Sequence, residues 1–126
     1  MSLHLRIYGQ DPVAKGRPRM TKTGHAFTPA KTRTAESLIR VSAEAMMQNN
    51  LMILGPVNMK VRLVFGKPRS NKTSSHTQRP DADNCAKLIT DALNGVVYKD
   101  DSQIVSLTIS KEWGQVGGFE VVIDPA

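Results

Sequence analysis

Cysteine is nearly absent from this chain. One cysteine, Cys85, in 126 residues excludes an internal disulfide framework and any multi-cysteine zinc site, and a reducing cytoplasm is the expected compartment. Aromatic residues are scarce too: three Phe, two Tyr and one Trp give little material for a platform that stacks single-stranded bases. The three histidines, His4, His25 and His76, are scattered with no H-x-x-x-H pair, which argues against a zinc hydrolase. No apolar run approaches the roughly 18–20 residues of a membrane span, and the first residues lack the apolar core of a signal peptide. Neither G-x-x-x-x-G-K-[ST] nor G-x-G-x-x-G occurs, so the common nucleotide-binding loops are missing, and no small-molecule cofactor is expected.

What the chain does have is positive charge. Seventeen Lys and Arg face eleven Asp and Glu, a net +6, with a pI near 9.8. A basic surface of that size suits nucleic acid or another polyanion, although some soluble proteins are simply basic. The acids are not spread evenly. Residues 81–101 hold five aspartates and two lysines, an acidic island in a basic chain. Carboxylates packed together repel, and such islands are often held by a cation.

The length fits a single domain over residues 1–126. Leu3, Leu5 and Ile7 alternate with polar residues and predict a strand. The stretch 9–31 is polar and rich in Gly, Pro, Lys and Arg, and reads as a loop. Residues 32–49 carry an apolar stripe at helical spacing, with Thr32 or Thr34 as the N-cap. Val57, Met59, Val61, Leu63 and Phe65 alternate as a half-buried strand. Residues 66–80 read as a second basic loop. A second helix is expected over about 84–94, buried through Cys85, Leu88, Ile89, Ala92 and Leu93 and stopped by Asn94-Gly95. Two further strands, 104–113 and 119–123, have the spacing of a hairpin. The order β-α-β-α-β-β predicts an α/β (α+β) domain: a small mixed sheet of about four strands with two helices.

The chemistry concentrates after Pro80. If 80–83 is extended, Asp81 and Asp83 point to one side. If a helix starts near Asp83, Lys87 follows one turn later and Asp91 another turn on. Were 81–83 helical throughout, the two aspartates would splay apart. Taken singly, Asp81 or Asp83 reads better as a helix cap, Lys87 as a solvated side chain and Asp91 as its ion-pair partner than as catalytic groups. Asp100-Asp101 at the mouth of the next strand adds weight to a functional reading, because the returning chain can bring Asp101 toward Asp81 and Asp83. Oxygen-only ligation of that kind suits Mg²⁺ or Mn²⁺, the wiring of phosphodiester hydrolysis. His25 and His76, in basic loops, fit contact with phosphate or solvent better than base catalysis. Cys85, on an apolar helix face, reads as a core residue.

The motifs Asp81-x-Asp83-Asn84-x-x-Lys87, Asp91-Ala92-Leu93-Asn94-Gly95 and Asp100-Asp101-x-Gln103-Ile104-Val105 together resemble the RusA-type Holliday junction resolvases, many of them encoded by phages and prophages. The loop Lys15-Gly16-Arg17-Pro18-Arg19 is similar to the phage-type branch. The resemblance implies a small homodimeric, Mg²⁺-dependent endonuclease that nicks four-way DNA junctions symmetrically in recombination and repair. It implies metal-binding catalytic acids at Asp81, Asp83 and Asp101 and a catalytic lysine at Lys87, with Asn84, Asp91 and Asp100 in support. Lys15, Arg17, Arg19, Lys67, Arg69, Lys72 and Arg79 are the expected contacts to the DNA backbone. Two other readings stand beside this one: a non-catalytic basic DNA-binding module, and a metal-dependent nuclease for flaps or other branched DNA.

Overall fold

The computed structural model of the chain describes residues 2–16, 19–27, 29–67 and 75–126. The strand β1 (Leu3–Tyr8) comes first, with Leu3 and Leu5 turned into the core and His4 and Arg6 turned out. The expected loop after it contains a short antiparallel hairpin, β2 (Arg19–Met20) with β3 (Ala26–Phe27). Helix α1 (Ala30–Met47) begins two residues earlier than the sequence suggested and is entered from Pro29, not from a threonine cap. Thr32 is buried and its Oγ1 instead accepts a hydrogen bond from the Gly16 amide at 3.0 Å, fastening the preceding loop to the helix.

The strand β4 (Val57–Gly66) keeps the expected alternation, burying Val57, Met59, Val61, Leu63 and Phe65. Helix α2 (Ala82–Ala92) lays Cys85, Leu88, Ile89 and Ala92 on the same core. It ends at Leu93, and Gly95 takes a positive φ of 77° just beyond, the left-handed conformation that glycine adopts without a Cβ penalty. A 3₁₀ turn (Asp101–Gln103) leads into β5 (Ile104–Gly114), and β6 (Gly118–Pro125) closes the chain.

The four long strands form one mixed sheet in the order β1-β6-β4-β5, parallel only between β4 and β5. The predicted α+β architecture is the one observed. The hairpin expected from the last two strands is not: β4 lies between β5 and β6. Their connection, 115–117, must therefore pass the end of β4, where Gly66 is registered with Gly114 and Val64 with Gly118. Glycine makes that approach possible. A Cβ on Gly114 would collide with the Val64 side chain of β4, and one on Gly118 with the carbonyl oxygen of Ile7 and the ring of Tyr8 on β1. The β4-α2-β5 crossover covers one sheet face and delivers the segment 98–103 back to the end of α2. Among the described residues no helix is long and apolar enough to cross a membrane.

Candidate active site

Helix α2 is the spine of the site. The chain approaches it through 78–80, which Lys111 on β5 secures by donating from Nζ to the carbonyls of Gln78 at 2.6 Å and Pro80 at 2.7 Å. Asp81 then stands at the N-cap in an extended conformation (φ −69°, ψ 145°). Its carbonyl accepts from the Cys85 amide, but its carboxylate makes no capping bond. Asp83, in the first turn and exposed, accepts through Oδ1 from the Asn84 amide at 3.0 Å. Asp81 is thus extended and Asp83 helical, a mixture of the two conformations weighed from sequence. A carboxylate in the first turn is also favoured by the helix dipole.

Asp83, Lys87 and Asp91 succeed one another at four-residue steps along one edge of α2. The Lys87 ammonium lies 3.4 Å from Asp91 Oδ1. Asp91 is approached from three sides. Lys15 Nζ reaches its Oδ2 at 3.3 Å and also pairs with Glu36 of α1, and the carboxyl of Asp101 meets Asp91 within hydrogen-bonding reach. The two carboxyls respond in opposite directions. Burial and the neighbouring Asp91 hold the Asp101 carboxyl above the usual range, against a hydrogen bond from Asn94. Burial also acts to raise Asp91, but its contact with Asp101 and the ammonium groups of Lys15 and Lys87 bring it below the usual range. The Lys15 ammonium is held above its ordinary value because Glu36 and Asp91 outweigh its burial.

Asp101 therefore sits at the C-terminal turn of α2. Asp81 and Asp91 are ten positions apart, about 15 Å at the helical rise of 1.5 Å per residue. Among the described residues no three His, Cys, Asp or Glu side chains stand close enough together to cage a metal ion. The geometry brings Asp101 to Asp91, with Lys87 between that pair and the Asp83 turn, and leaves Asp81 at the opposite end of the helix.

Three residues to which the sequence assigned no role, Gln103, Arg40 and Tyr98, hold this corner. Gln103 accepts through Oε1 from the amides of Lys99 and Asp100, and donates through Nε2 to the carbonyls of Ile53 at 2.8 Å and Gly55 at 2.9 Å. Asp100 in turn accepts from the Ser102 amide, completing a capping box. The spacing Asp100-x-x-Gln103 is the sequence signal for that device. Arg40 of α1 donates to the carbonyls of Ala92 and Asn94 at 3.1 and 3.0 Å, capping the end of α2. Asn94 reads from sequence as a helix stop alone, yet it also contacts Asp101. Beneath them Tyr98, fully buried, donates to the Thr90 carbonyl at 2.7 Å. Burial and the nearby aspartates raise its phenol far above the usual value.

The basic residues divide. Lys67 and Arg79 are exposed, as phosphate contacts must be. Lys15 was expected on DNA, but its ammonium is engaged by Glu36 and Asp91. Arg17, Arg69 and Lys72, and the side chain of Arg19, lie outside the described residues. His76 corrects the sequence reading: it is buried, its ring stacked on Phe65 at 3.8 Å between centroids and tilted against Trp113 at 4.5 Å. Burial, reinforced by Lys111, lowers its pKa. Cys85 is fully buried, and burial pushes its thiol up to about 11, so it is no nucleophile at neutral pH.

A cleft of about 950 Å³ opens beside the start of α2, with Asp81, Asn84, Arg79, Lys31 and Trp113 on its walls.

Comparison with known proteins agrees with the motifs. The family profile described as Endodeoxyribonuclease RusA matches residues 10–124. A relative from Bacillus subtilis (strain 168), described as Uncharacterized protein YqaN, is 36% identical over 132 residues, covering 93% of this chain and 92% of its own. By the extent of that profile match, the chain belongs to the RusA endodeoxyribonuclease family.

Proposed function

We propose that the chain resolves four-way DNA junctions in the cytoplasm by two symmetric, divalent-metal-dependent nicks, acting as a homodimer. The observation that carries this reading is the acidic edge of α2 in a member of an endodeoxyribonuclease family: Asp83, Lys87 and Asp91 in file, with Asp101 against Asp91. Two like-charged carboxyls in contact are satisfied either by a shared proton or by a cation, and an oxygen-only donor set fits Mg²⁺ or Mn²⁺. Asp101 and Asp91, which stand together, are the residues of this chain placed to hold it, while Asp83 lies about two turns away along the helix and Asp81 at its far end, too distant to share the same ion. When bound, such an ion supplies a more acidic water and draws charge from the phosphate.

The chain's own groups then have distinct tasks. Lys87 is exposed and keeps its ammonium beside Asp91, from where it stabilises charge developing on a phosphate oxygen or orients the water. Asp91 aims Lys87 and anchors Lys15. Gln103 and Arg40 fix the turn and helix end on which Asp101 and Asp91 stand. Lys67 and Arg79, together with Arg17, Arg19, Arg69 and Lys72, neutralise backbone phosphates, which gives affinity and salt dependence but no base reading. Lys15 serves the site from behind.

The test is cleavage of an immobile four-way junction, end-labelled on each strand in turn, with Mg²⁺ and with EDTA. Paired nicks at symmetry-related positions that vanish with EDTA are expected. Tight junction binding with no nick under Mg²⁺ or Mn²⁺ would overturn the reading in favour of a binding module. Equal cutting of a flap would move the substrate to branched DNA in general.

A further inference from the structure

The cleft beside the start of α2 has a mouth and an inner wall of different chemistry. The mouth is cationic. Lys31 and Arg79 are exposed there, and neither forms an ion pair among the described residues. The N-terminus of α1 opens onto the same space through Pro29, Lys31 and Thr32. That helix end has no side-chain cap and no acid in its first turn, so a lysine stands where the dipole favours an anion. The first amides of a helix have no partner within it, and with Lys31 they suit a phosphate. The wall is aromatic. Aromatic residues are few in this chain, but the fold sets Phe65 and Trp113 on either side of His76, and all three line the cleft. His76 is only 7% exposed, and its Nδ1 has no hydrogen-bond partner among the described residues. A buried nitrogen left unpaired is costly unless a ligand supplies the partner.

We propose that this cleft takes one unstacked nucleotide of branched DNA, its phosphate at Lys31, Arg79 and the start of α1 and its base against the wall of Phe65, His76 and Trp113. This deepens the proposed function and rests on it for the identity of the polyanion. A free phosphate would need no ring wall, and a base that is stacked and paired has no face to offer it. The volume of about 950 Å³ is at the upper end of ligand pockets, about 300–1,000 Å³. Stacking a base on an aromatic side chain gains about tenfold or more in affinity. That is enough to hold a base out where the duplex is already interrupted, since unpairing costs least there. The exposed side-chain amides of Gln78 and Asn84 also line the cleft, and each offers donors and an acceptor to a base edge. Burial keeps His76 uncharged at neutral pH, so its free nitrogen meets a neutral base without bringing a charge inside. Asp81, on the same cleft, then stands beside the held nucleotide, at the opposite end of α2 from Asp91 and Asp101. A continuous duplex cannot fill the cleft, and preference for a branch follows from that.

Trp113 is the one tryptophan of the chain, so its emission reports on the cleft directly. The test uses the full chain in EDTA. A saturating immobile four-way junction should quench that emission, and a saturating continuous duplex of the same sequence should leave it unchanged. An abasic site at one nucleotide flanking the branch point should abolish the quench and weaken binding by about tenfold or more. An abasic site opposite that nucleotide should tighten binding, because its base no longer has to be unpaired. Ala14→Phe narrows the cleft while leaving Lys31 and Arg79 in place, and should bind junction and duplex alike. If that variant fails to fold, Lys31→Glu at the exposed mouth carries the test and should weaken junction binding more than duplex binding. Equal quenching by junction and duplex, no quenching by either, indifference to abasic sites at every flanking nucleotide, or variants that keep the wild-type preference would each overturn the pocket. Paired nicks in Mg²⁺ by a chain that shows no quenching would sink the pocket and spare the nuclease reading. Junction-specific quenching without nicks would do the reverse.

Discussion

The carboxyl of Asp101, carried in by the 3₁₀ turn, meets that of Asp91 at the last turn of α2, and the two shift apart in acidity. Asp101 is the member that pays for the contact, since its charged form is disfavoured by burial and by its neighbour. A residue retained at a cost to stability fits a functional role.

Asp101→Asn separates those two effects. The raised carboxyl means that its ionised form destabilises the fold at neutral pH. The neutral amide should therefore melt at the same temperature as the wild type or a few degrees higher, while junction nicking falls by more than about a hundredfold. Parallel thermal melts and single-turnover cleavage check both halves. A variant that loses stability and activity together would make Asp101 a structural residue.

Lys15 and Arg79 make a matched pair of probes. Lys15 is partly buried and joined to two carboxylates, whereas Arg79 is exposed. Lys15→Ala should cost about 1 kcal/mol, a Tm loss of roughly 3–6 °C for a domain of this size. Arg79→Ala should leave the Tm unchanged and lower the salt slope of junction binding by about one. Binding titrations across several salt concentrations, with melts of both variants, distinguish the roles. The opposite assignment would return Lys15 to the DNA surface.

The burial of His76 sets a pH dependence. Its pKa is lowered in the folded chain, so the unfolded chain takes up the proton first as pH falls. Stability from this group is complete above about 6.5 and declines as pH drops from there through the folded pKa. His76→Phe keeps a ring against Phe65 and Trp113 and should flatten that part of the Tm-against-pH curve. An unchanged slope would place the dependence on other groups.

The fold was largely readable because periodicity reports burial directly. The alternation through Val57–Phe65 and the α2 stripe from Cys85 to Leu93 follow from which side chains must leave water. The order of strands was not readable. Spacing shows that 114–118 can turn, but the collision that a side chain at Gly118 would cause with Ile7 appears only in three dimensions. The site divided in the same way. The file Asp83-Lys87-Asp91 is a local helical relation and could be written from sequence. The contact of Asp101 with Asp91, where the sequence pointed toward Asp81 and Asp83, depends on where the crossover ends. His76 was misplaced because a polar loop composition hides a ring that stacks on a strand residue.

Gln103 offers the sharpest test of how this corner is held. Its amide makes four bonds, accepting from two amides of the 99–100 turn and donating to two carbonyls of the 53–55 segment. No other side chain of that size supplies two donors and an acceptor at once. Gln103→Ala should lose about 2–3 kcal/mol, since four backbone groups lose their partner and water repairs only the exposed ones. Gln103→Glu keeps the accepting half but presents a carboxylate to the carbonyls of Ile53 and Gly55 and adds a negative charge beside Asp100 and Asp101. It should be no more stable than the alanine variant at neutral pH and recover as the carboxylate is protonated. Because Gln103 touches neither Asp91 nor Asp101 in these bonds, its loss should act on cleavage by loosening the turn. Nicking should fall while junction affinity, read by gel shift in EDTA, stays near wild type. A variant with unchanged melting and unchanged cleavage would show that the Asp91–Asp101 contact is fixed by the strand and helix alone.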